Sequence, residues 1–575
     1  MNRLLRPFSG LLPFAATLLI GSCSPEPPSP PPVADAPVFP VQNRPDVRGI
    51  HGAVVSDHPL ASAAGYQVLR EGGNAVDAAI AMAGVLAVVR PHMNGVGGDV
   101  FAFVHEAATG ELHTLNGSGR AGSLATPEFF AEFGEVPEKG PGSVSVPGAV
   151  RAWDDLHRRF ATRPLAELLA PAAEYAVEGF PVSTRLAADF EAQGGDLNEP
   201  GRALYLPGGR PPAVGSLLRN PALGATLERI GREGASSFYE GEIANTLATF
   251  VADAGGTLRP EDFAGHTSTW VEPLSVDYLG HTFHAFPPNT QGMTQIQMME
   301  MAKSFSLGDM GHNTSSYLHA MVELKKLAFA DRDRWAADPE MADVPLDDLL
   351  DPAYLAGRAG LVDPAGAAES VSPGVGDAPG ESGSGPTDDR GDTVYLTVVD
   401  AEGNAVSWIQ SLYAGFGSGL LEPTTGVLLH NRGTLFTLEE GHPNQVAPGK
   451  RPFHTLSPLI ALRDGDFAFT LGTPGGDSQP QSLLQIANNL FLFDMTPQQA
   501  LEAPRFRSQG GLRLLLEDRV PAQVRGELTA LGHDVGVISG WTATFGGAQM
   551  IHVDPTSGVV TAAADPRREA YAIAW

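Results

Sequence analysis

The change of character within residues 381–411, ESGSGPTDDRGDTVYLTVVDAEGNAVSWIQS, constrains this chain more than any other stretch. The residues from Asp363 to Gly391 are rich in Gly, Pro, Ser and acidic side chains, a composition that predicts a mobile linker. A strongly patterned strand begins directly afterwards at Thr393. A threonine therefore stands where an easily cut segment meets an ordered one.

The ordered side of this boundary is typical of a β-hairpin. Its alternating pattern turns at Ala401–Asn404 and returns through a second patterned run. If Asp400 pairs with Ala405, Ser411 pairs within a residue of Thr393. The pattern therefore predicts a second hydroxyl group beside the threonine, at the open end of the hairpin.

A threonine hydroxyl is a poor nucleophile unless a base lies nearby. Cleavage before Thr393 would give that residue a free α-amino group with a pKa of about 7.7–8, which can accept the hydroxyl proton. The same hydroxyl can make the cut by attacking the carbonyl of Asp392, in an N-to-O acyl shift followed by hydrolysis. A linker before a strand is also common without such chemistry, so a segment cut by other proteases is the alternative.

The first residues are typical of an exported bacterial lipoprotein. Two arginines precede an apolar stretch, residues 11–20, which is too short to span a bilayer and suits a secretory signal peptide. Residues 1–23 end in Ile-Gly-Ser-Cys, which resembles a lipobox, so Cys23 is the expected lipidated residue. The alternative is an unlipidated signal peptide. Residues 24–48 are Pro-rich and predict a tether to a membrane of the cell envelope, periplasmic or outer.

Charge and cysteine content exclude several classes of function. With 37 Lys and Arg against 66 Asp and Glu, the formal net charge of −29 argues against binding nucleic acid or anionic lipid. Membrane contact is therefore expected only through the lipid anchor. Cys23 is the only cysteine, so the chain can form no internal disulfide and no cysteine-based metal site.

The sequence contains no familiar cofactor motif. The glycine-rich runs at 94–99 and 413–419 match neither a phosphate loop nor a dinucleotide-binding pattern, and tight turns explain them. The sixteen histidines include no His-Glu-x-x-His run, and the pair His281 and His284 is a weak metal signal. No Gly-x-Ser-x-Gly elbow occurs, which counts against an α/β-hydrolase. We therefore expect neither a metal nor a cofactor.

The hydrophobic periodicity divides the chain in two. Residues 58–91 predict two helices broken at Gly72-Gly73, and residues 150–330 are mostly helical. The later sequence consists mainly of short strands and turns. We therefore predict a large part, residues 49–392, that ends in the linker 363–392, and a smaller strand-rich part, residues 393–575.

Eight motifs in order along the chain resemble the γ-glutamyltransferase family. They are GGNAVDAAIAMAGVLAVVRP (72–91), VPGAVRAW (146–153), FYEGEIA (238–244), GDTVYLTVVDAEGNAVS (391–407), PGKRPFHTLSP (448–458), GTPGGDSQPQ (472–481), APRFR (503–507) and ADPRRE (564–569). Members are N-terminal-nucleophile hydrolases made as one chain and self-cleaved into two subunits. The resemblance implies an α+β fold, a four-layer αββα sandwich with two antiparallel sheets between helical layers and one core shared by both subunits.

The resemblance also implies a catalytic centre. Thr393 matches the nucleophile and first residue of the small subunit, which makes Asp392 the last residue of the large subunit. Ser411 matches the hydroxyl that assists the nucleophile. Gly475 and Gly476 match the pair whose backbone N–H groups form the oxyanion hole.

Three further residues match positions that contact the substrate carboxylate. Arg120 matches an arginine whose planar fork binds this group, and His454 and Thr455 occupy the place of a Ser-Ser pair. The alternatives are a surface ion pair for Arg120 and a plain turn for the two glycines of the GTPGGD motif.

Three positions depart from members that use glutathione. Tyr413 stands in place of an Asn, and Arg432 and Leu435 stand in place of a Gln and an Asp that help to hold the α-ammonium group of the donor. Leucine cannot pair with an ammonium group, and arginine repels it. The surrounding stretches instead resemble a γ-glutamyltransferase-like subgroup, which includes an oxamate amidohydrolase and resembles glutaryl-type cephalosporin acylases.

The leading interpretation is a self-processing amide hydrolase or acyltransferase that acts on γ-glutamyl (glutathione-like) or related acyl amides. The first alternative is a hydrolase of anionic acyl amides that lack an α-amino group. The alternative of another class is a surface lipoprotein that keeps the fold for binding without turnover. The expected partners are a small-molecule amide and the two subunits cut from one chain.

Overall fold

The computed structural model describes residues 42–376 and 391–575. The strands, in chain order, are β1 (Val47–Gly49), β2 (Ala53–Ser56), β3 (Asp99–Glu106), β4 (Glu111–Gly117), β5 (Phe180–Pro181), β6 (Leu217–Leu218), β7 (Thr269–Trp270), β8 (Leu274–Tyr278), β9 (His281–Ala285), β10 (Gly391–Val399), β11 (Ala405–Ala414), β12 (Leu421–Glu422), β13 (Val427–Leu428), β14 (Leu459–Arg463), β15 (Asp466–Gly472), β16 (Phe506–Gly510), β17 (Arg513–Glu517), β18 (Asp534–Ile538), β19 (Gln549–Val553), β20 (Val560–Ala564) and β21 (Tyr571–Ala574).

The α-helices, in chain order, are α1 (Pro59–Arg70), α2 (Ala75–Val89), α3 (Pro127–Phe130), α4 (Ala149–Phe160), α5 (Leu165–Glu178), α6 (Thr184–Gln193), α7 (Glu199–Tyr205), α8 (Pro221–Glu233), α9 (Ser236–Tyr239), α10 (Glu242–Asp253), α11 (Pro260–Ala264), α12 (Gly292–Ala302), α13 (Leu307–Met310), α14 (Ser315–Trp335), α15 (Leu346–Leu349), α16 (Pro352–Ala359), α17 (Ser478–Phe491), α18 (Pro497–Glu502) and α19 (Ala522–Ala530). Single 3₁₀ turns lie at Pro141–Ser143, Gly194–Asp196, Pro207–Gly209, Arg432–Leu435 and Ala543–Phe545.

Two antiparallel sheets of seven strands form the centre. One has the order β1-β20-β19-β15-β14-β9-β8, and the other has the order β21-β2-β10-β11-β3-β4-β7. Each sheet combines strands from both sides of the predicted cut, and β2 lies between β21 and β10. The two predicted parts therefore do not form separate domains, because each completes the sheets of the other.

Alternation along the central strands separates two apolar layers. Val394, Leu396 and Val398 of β10 pack in a core that also contains α2. Tyr395 instead belongs to a cluster that joins Ile409 of its own sheet to Ile460 of the opposite sheet. A third core joins that opposite sheet to α12, α14 and α17. The order helix, sheet, sheet, helix confirms the predicted αββα sandwich. Thr393 has the parity of Tyr395 and so belongs to the face between the sheets.

Local predictions in the first helices and in the hairpin hold closely. α1 and α2 are separated at Gly72-Gly73, and Asn74 caps α2 by accepting from the backbone N–H groups of Val76 and Asp77. The hairpin is shifted by one residue, because Val399 rather than Asp400 pairs with Ala405.

The predicted tether ends earlier than residue 48. The backbone N–H of Arg44 donates to Glu502 at 3.0 Å, and β1 pairs with β20. Residues 42–48 therefore belong to the folded unit. Cys23, the signal peptide and the remaining tether lie outside the described residues. Among the residues described, no helix is long and apolar enough to cross a bilayer.

The predicted mobile linker 363–392 is also shorter than expected. Ala367 N–H donates to the carbonyl of Leu531 at 2.7 Å, and Gly374 N–H donates to Asp331 at 2.8 Å. These bonds hold residues 363–376 on α14 and on the loop after α19, and β10 already begins at Gly391. The rest of the predicted linker, 377–390, lies outside the described residues.

Candidate active site

An irregularity in the pairing of β10 with β11 lies at Thr393. The register shifts between Asp392 and Val394, so that Ser411 and Leu412 of β11 both lie opposite Thr393. An extra residue on one strand is a β-bulge, which redirects neighbouring side chains. The threonine is almost completely buried, with 1% of its surface exposed.

The Ser411 hydroxyl joins the two sides of the peptide bond before Thr393. Thr393 Oγ1 donates to Ser411 Oγ at 3.2 Å, and Ser411 Oγ donates to the carbonyl oxygen of Asp392 at 2.7 Å. The Tyr413 N–H (2.7 Å) and Arg432 Nη2 (3.2 Å) also point at Ser411 Oγ. Because one hydroxyl oxygen has two lone pairs, these three donors compete for it.

A buried arginine lies directly behind this hydroxyl. Arg432 is fully buried, and its Nη1 donates to Thr455 Oγ1 at 3.0 Å. The guanidinium also lies 4.4 Å from the centre of the Tyr413 ring, within the range of a cation–π contact. Tyr413 has φ 78°, a strained conformation for a bulky residue. Leu435, half-buried, ends the 3₁₀ turn that begins at Arg432.

Gly475 and Gly476 form the turn between β15 and α17 at φ angles of 123° and 53°. In the described part of the chain, their two N–H groups donate to no acceptor. Gln291 Nε2 donates to the carbonyl of Gly476 at 3.0 Å and also to the carbonyl of Thr455. The Gln291 amide therefore connects the glycine turn to Thr455, the residue to which Arg432 donates.

Asp99, which sequence reasoning did not single out, organises the surrounding loops. It pairs with Ser411 across the β3–β11 ladder. Its Oδ1 accepts from the N–H groups of Gly119 (2.9 Å) and Gly148 (3.2 Å), and its Oδ2 lies 3.1 Å from His454 Nε2. The only sequence signal was its position at the end of the glycine-rich run 94–99, which we attributed to turns.

Two buried histidines set the charge of this centre. Burial alone would raise the pKa of Asp99, but His430 and His454 outweigh burial and hold that pKa well below its ordinary value. Burial, aided by the charge of Arg432, lowers the pKa of His454 to about 3. The centre therefore contains an ionised carboxylate beside a neutral His454 ring, and this ring faces Asp99.

Arg120 lies on the loop that Asp99 holds but outside the hydrogen-bonded group around Thr393. Its Nη2 is 2.7 Å from Glu340, and its Nη1 donates to the carbonyl of Gly449 at 3.1 Å. The side chain is 22% exposed. This position matches the ion-pair alternative, and the contacts do not test the predicted contact with a substrate carboxylate.

The structure adds two residues that hold Asp392. Arg568 Nη2 donates to its Oδ1 at 2.8 Å, and Gln193 Nε2 donates to its Oδ2 at 2.7 Å. Arg568 lies in the ADPRRE motif that contributed to the family resemblance, whereas no sequence signal indicated Gln193.

Two groups of side chains in the described part of the chain have a spacing that suits a metal ion. They are His319, Glu323 and His533, and Glu106, Glu111 and His113. In the first group, Lys326 already donates to Glu323 at 2.7 Å, and His319 Nε2 lies 2.8 Å from the carbonyl of Asp363. The first group is thus a hydrogen-bonded network beneath residues 363–376, and neither group contains a residue that contacts Thr393.

Comparisons with known proteins match nearly the whole chain. A family model described as gamma-glutamyltranspeptidase matches residues 61–575. The chain is 36% identical to the glutathione hydrolase-like YwrD proenzyme of Bacillus subtilis (strain 168), over 92% of this chain and 99% of that protein. It is also 36% identical to the oxamate amidohydrolase proenzyme of Klebsiella pneumoniae, over 90% and 97% respectively.

Among solved structures, the cephalosporin acylase from Bacillus halodurans superposes with a TM-score of 0.86 at 35% identity, over 94% of this chain and 99% of that chain. Sequence and fold therefore agree over nearly the whole length. The chain belongs to the γ-glutamyltranspeptidase family and is a hydrolase with the N-terminal-nucleophile fold of that family.

Proposed function

We propose that this chain cuts itself between Asp392 and Thr393 and then hydrolyses acyl amides through an ester on Thr393. The observation that carries the proposal is the continuous bond path from Thr393 Oγ1 through Ser411 Oγ to the Asp392 carbonyl. In this path the nucleophile donates to a hydroxyl that is already hydrogen-bonded to the carbonyl oxygen under attack.

The cut follows from this path with atoms balanced. Thr393 Oγ1 forms a bond to the carbonyl carbon of Asp392 and gives its proton to Ser411, while Ser411 gives its own proton to the carbonyl oxygen. The tetrahedral carbon then releases the nitrogen of Thr393, which takes that proton. Water hydrolyses the resulting ester, which leaves a carboxylate on Asp392 and a free amine and hydroxyl on Thr393.

Turnover repeats this chemistry on a bound amide. The free amine of Thr393, with a pKa of about 7.7–8 in an unperturbed N-terminus, accepts the hydroxyl proton and passes it to the leaving amine. The oxyanion is assigned to the N–H groups of Gly475 and Gly476, which is supported by their lack of acceptors in the described residues. Such donors each lower a barrier by roughly 3–4 kcal/mol. Water or a second amine then removes the acyl group.

Purified protein on a denaturing gel tests the cut. We expect two fragments, of which the smaller begins at Thr393 by N-terminal sequencing, and one uncut chain for Thr393→Ala. Thr393→Ser is the matched control, because it keeps the hydroxyl and should still be cut. An uncut wild-type chain, or a cut Thr393→Ala chain, would contradict the proposal.

For the acyl donor, we favour an anion that lacks an α-amino group over a γ-glutamyl group. The buried guanidinium of Arg432 contacts Ser411 and therefore lies near the scissile carbonyl. A positive charge there favours a carboxylate and disfavours an ammonium group. Relatives named oxamate amidohydrolase and acylase support the same class.

Matched anilides separate the two donor classes. Glutaryl and γ-glutamyl p-nitroanilide differ by one ammonium group, so kcat/KM for both should be measured on fully cut protein. We expect faster release from the glutaryl compound. Clearly faster release from the γ-glutamyl compound would favour a glutathione-like donor instead.

A further inference from the structure

Asp392 is fixed at three points in the uncut chain. Its carbonyl oxygen accepts from Ser411, and its two carboxylate oxygens accept from Arg568 and Gln193. These partners come from β11, from the loop after β20 and from the last residue of α6. Thr393 Oγ1 donates to Ser411 rather than to this carboxylate, so the side chain is assigned as an anchor and Ser411 as the group that receives the Thr393 proton.

The anchor holds the carbonyl side of the Asp392-Thr393 peptide bond, which takes part in self-cleavage but not in later amide hydrolysis. Before the cut, the carbonyl carbon of Asp392 is the target of Thr393 Oγ1. After the cut, the acyl group comes from a small molecule, and Asp392 is the end of a departed segment. Contacts that act only through its side chain therefore affect the first reaction and not the later ones.

We propose that Arg568 and Gln193 are positioning residues for self-cleavage and are not needed for amide hydrolysis once the chain is cut. The inference rests on the proposed function, because it requires the cut at Asp392-Thr393. Intramolecular attack depends steeply on geometry, and a displacement of about 1 Å can lower a rate by roughly a hundredfold. Loosening the anchor is therefore expected to slow the cut.

Arg568 also has neighbours other than Asp392, and the test must distinguish their effect from that of the Asp392 contact. Its guanidinium also faces the buried carboxylate of Asp57 and the half-buried carboxylate of Asp189. Arg185 belongs to the same cluster, with its Nε 3.3 Å from Asp189, but among the described residues it forms no bond to Asp392. Arg185→Gln therefore removes one positive charge from this cluster without removing a contact to Asp392.

The experiment follows the loss of the uncut chain with time on a denaturing gel. The set is wild type, Arg568→Gln, Gln193→Ala, Asp392→Ala, the double variant Arg568→Gln/Asp392→Ala and the control Arg185→Gln. We expect cutting about 10- to 100-fold slower for Arg568→Gln and several-fold slower for Gln193→Ala, because the guanidinium bond is charge-assisted. Arg185→Gln should cut at close to the wild-type rate.

The double variant distinguishes positioning from general support of the fold. If Arg568 acts through Asp392, the double variant is cut no more slowly than Asp392→Ala alone. Once cut, Arg568→Gln should hydrolyse a p-nitroanilide with a kcat per small fragment within about twofold of wild type.

Three results would overturn the inference while the proposed function stands. They are wild-type cutting rates in both Arg568→Gln and Gln193→Ala, fully additive slowing in the double variant, and a kcat per small fragment that falls as steeply as the cutting rate. Should Arg568→Gln not fold, Gln193→Ala carries the same comparison alone. A wild-type chain that never cuts would overturn the proposed function first.

Discussion

Replacement of Arg432 by glutamine tests what selects the acyl donor. The guanidinium is buried and donates to both Ser411 and Thr455. Glutamine keeps one amide that can donate to either hydroxyl but removes the positive charge. The two anilides named above differ only by an ammonium group, so their ratio of kcat/KM isolates the effect of that charge from losses common to both.

The expected size follows from the distances. Arg432 Nη2 is 3.2 Å from Ser411 Oγ, which is 3.2 Å from Thr393 Oγ1. The guanidinium therefore lies within about 6.4 Å of Thr393 Oγ1, and the ammonium-bearing α-carbon of a γ-glutamyl donor is three carbon–carbon bonds beyond the scissile carbonyl. At a separation of roughly 6–10 Å and an effective dielectric constant near 20, two like charges repel by about 2–3 kcal/mol. That energy corresponds to a preference of about 20- to 100-fold for the glutaryl compound in wild type.

In Arg432→Gln we expect this preference to shrink by about 10- to 100-fold, even though both rates fall. Initial rates of p-nitroaniline release on fully cut protein give the ratio. Arg513→Gln is the matched control, since Arg513 pairs with Asp534 at the surface and its loss changes the net charge equally. A wild-type preference that persists unchanged in Arg432→Gln would refute the electrostatic explanation.

Three further changes have definite expected outcomes. Gly475→Ala should lower kcat by about 10²–10³-fold, because a Cβ there collides with Ser478 Oγ and displaces the proposed oxyanion donors. The control Gly465→Ala, also at positive φ but with open space around it, should retain activity, and an equal kcat in both variants would contradict the assignment. Asp99→Asn should lower kcat by about 10-fold or more, because an amide replaces a charged acceptor worth about 1.5–3 kcal/mol per bond, and an unchanged kcat in well-folded protein would remove the assigned role. Burial and nearby Arg451 lower the pKa of His266 to about 3, so only the unfolded chain gains this proton as pH falls below about 6.5 and stability falls with it. Between pH 7.5 and 4.5, the His266→Phe variant should therefore lose up to about 3 kcal/mol less stability than the wild type. Unfolding midpoints at one scan rate measure this, and an identical pH dependence in the two proteins would argue against it.

The features that sequence predicted well are local. The helix break at Gly72-Gly73 and the alternation of β10 depend on residues a few positions apart, and the structure shows both. The neighbouring hydroxyls were also expected, since a hairpin brings its ends together. The bulge opposite Thr393 was not expected, because an extra residue on one strand leaves the period of each strand intact.

The features that sequence missed depend on distant segments. Asp99 and His454 are 355 positions apart, and Arg568 is 176 positions from Asp392. A lone aspartate after glycines, or an arginine near the chain end, has no local pattern that indicates its partner. Arg120 shows the converse, because a family motif drew attention to it while its contacts are to Glu340 and Gly449.

The last strand ends beside the first ones. The N–H groups of Ile50 and His51 both donate to the carbonyl oxygen of Trp575 at 2.8 Å. A circularly permuted gene could therefore begin at Thr393, run to Trp575 and continue through a short linker into β1, with the pairing of both sheets retained. Removal of the initiator methionine would then expose the threonine amine, and such a protein would need no self-cleavage before turnover.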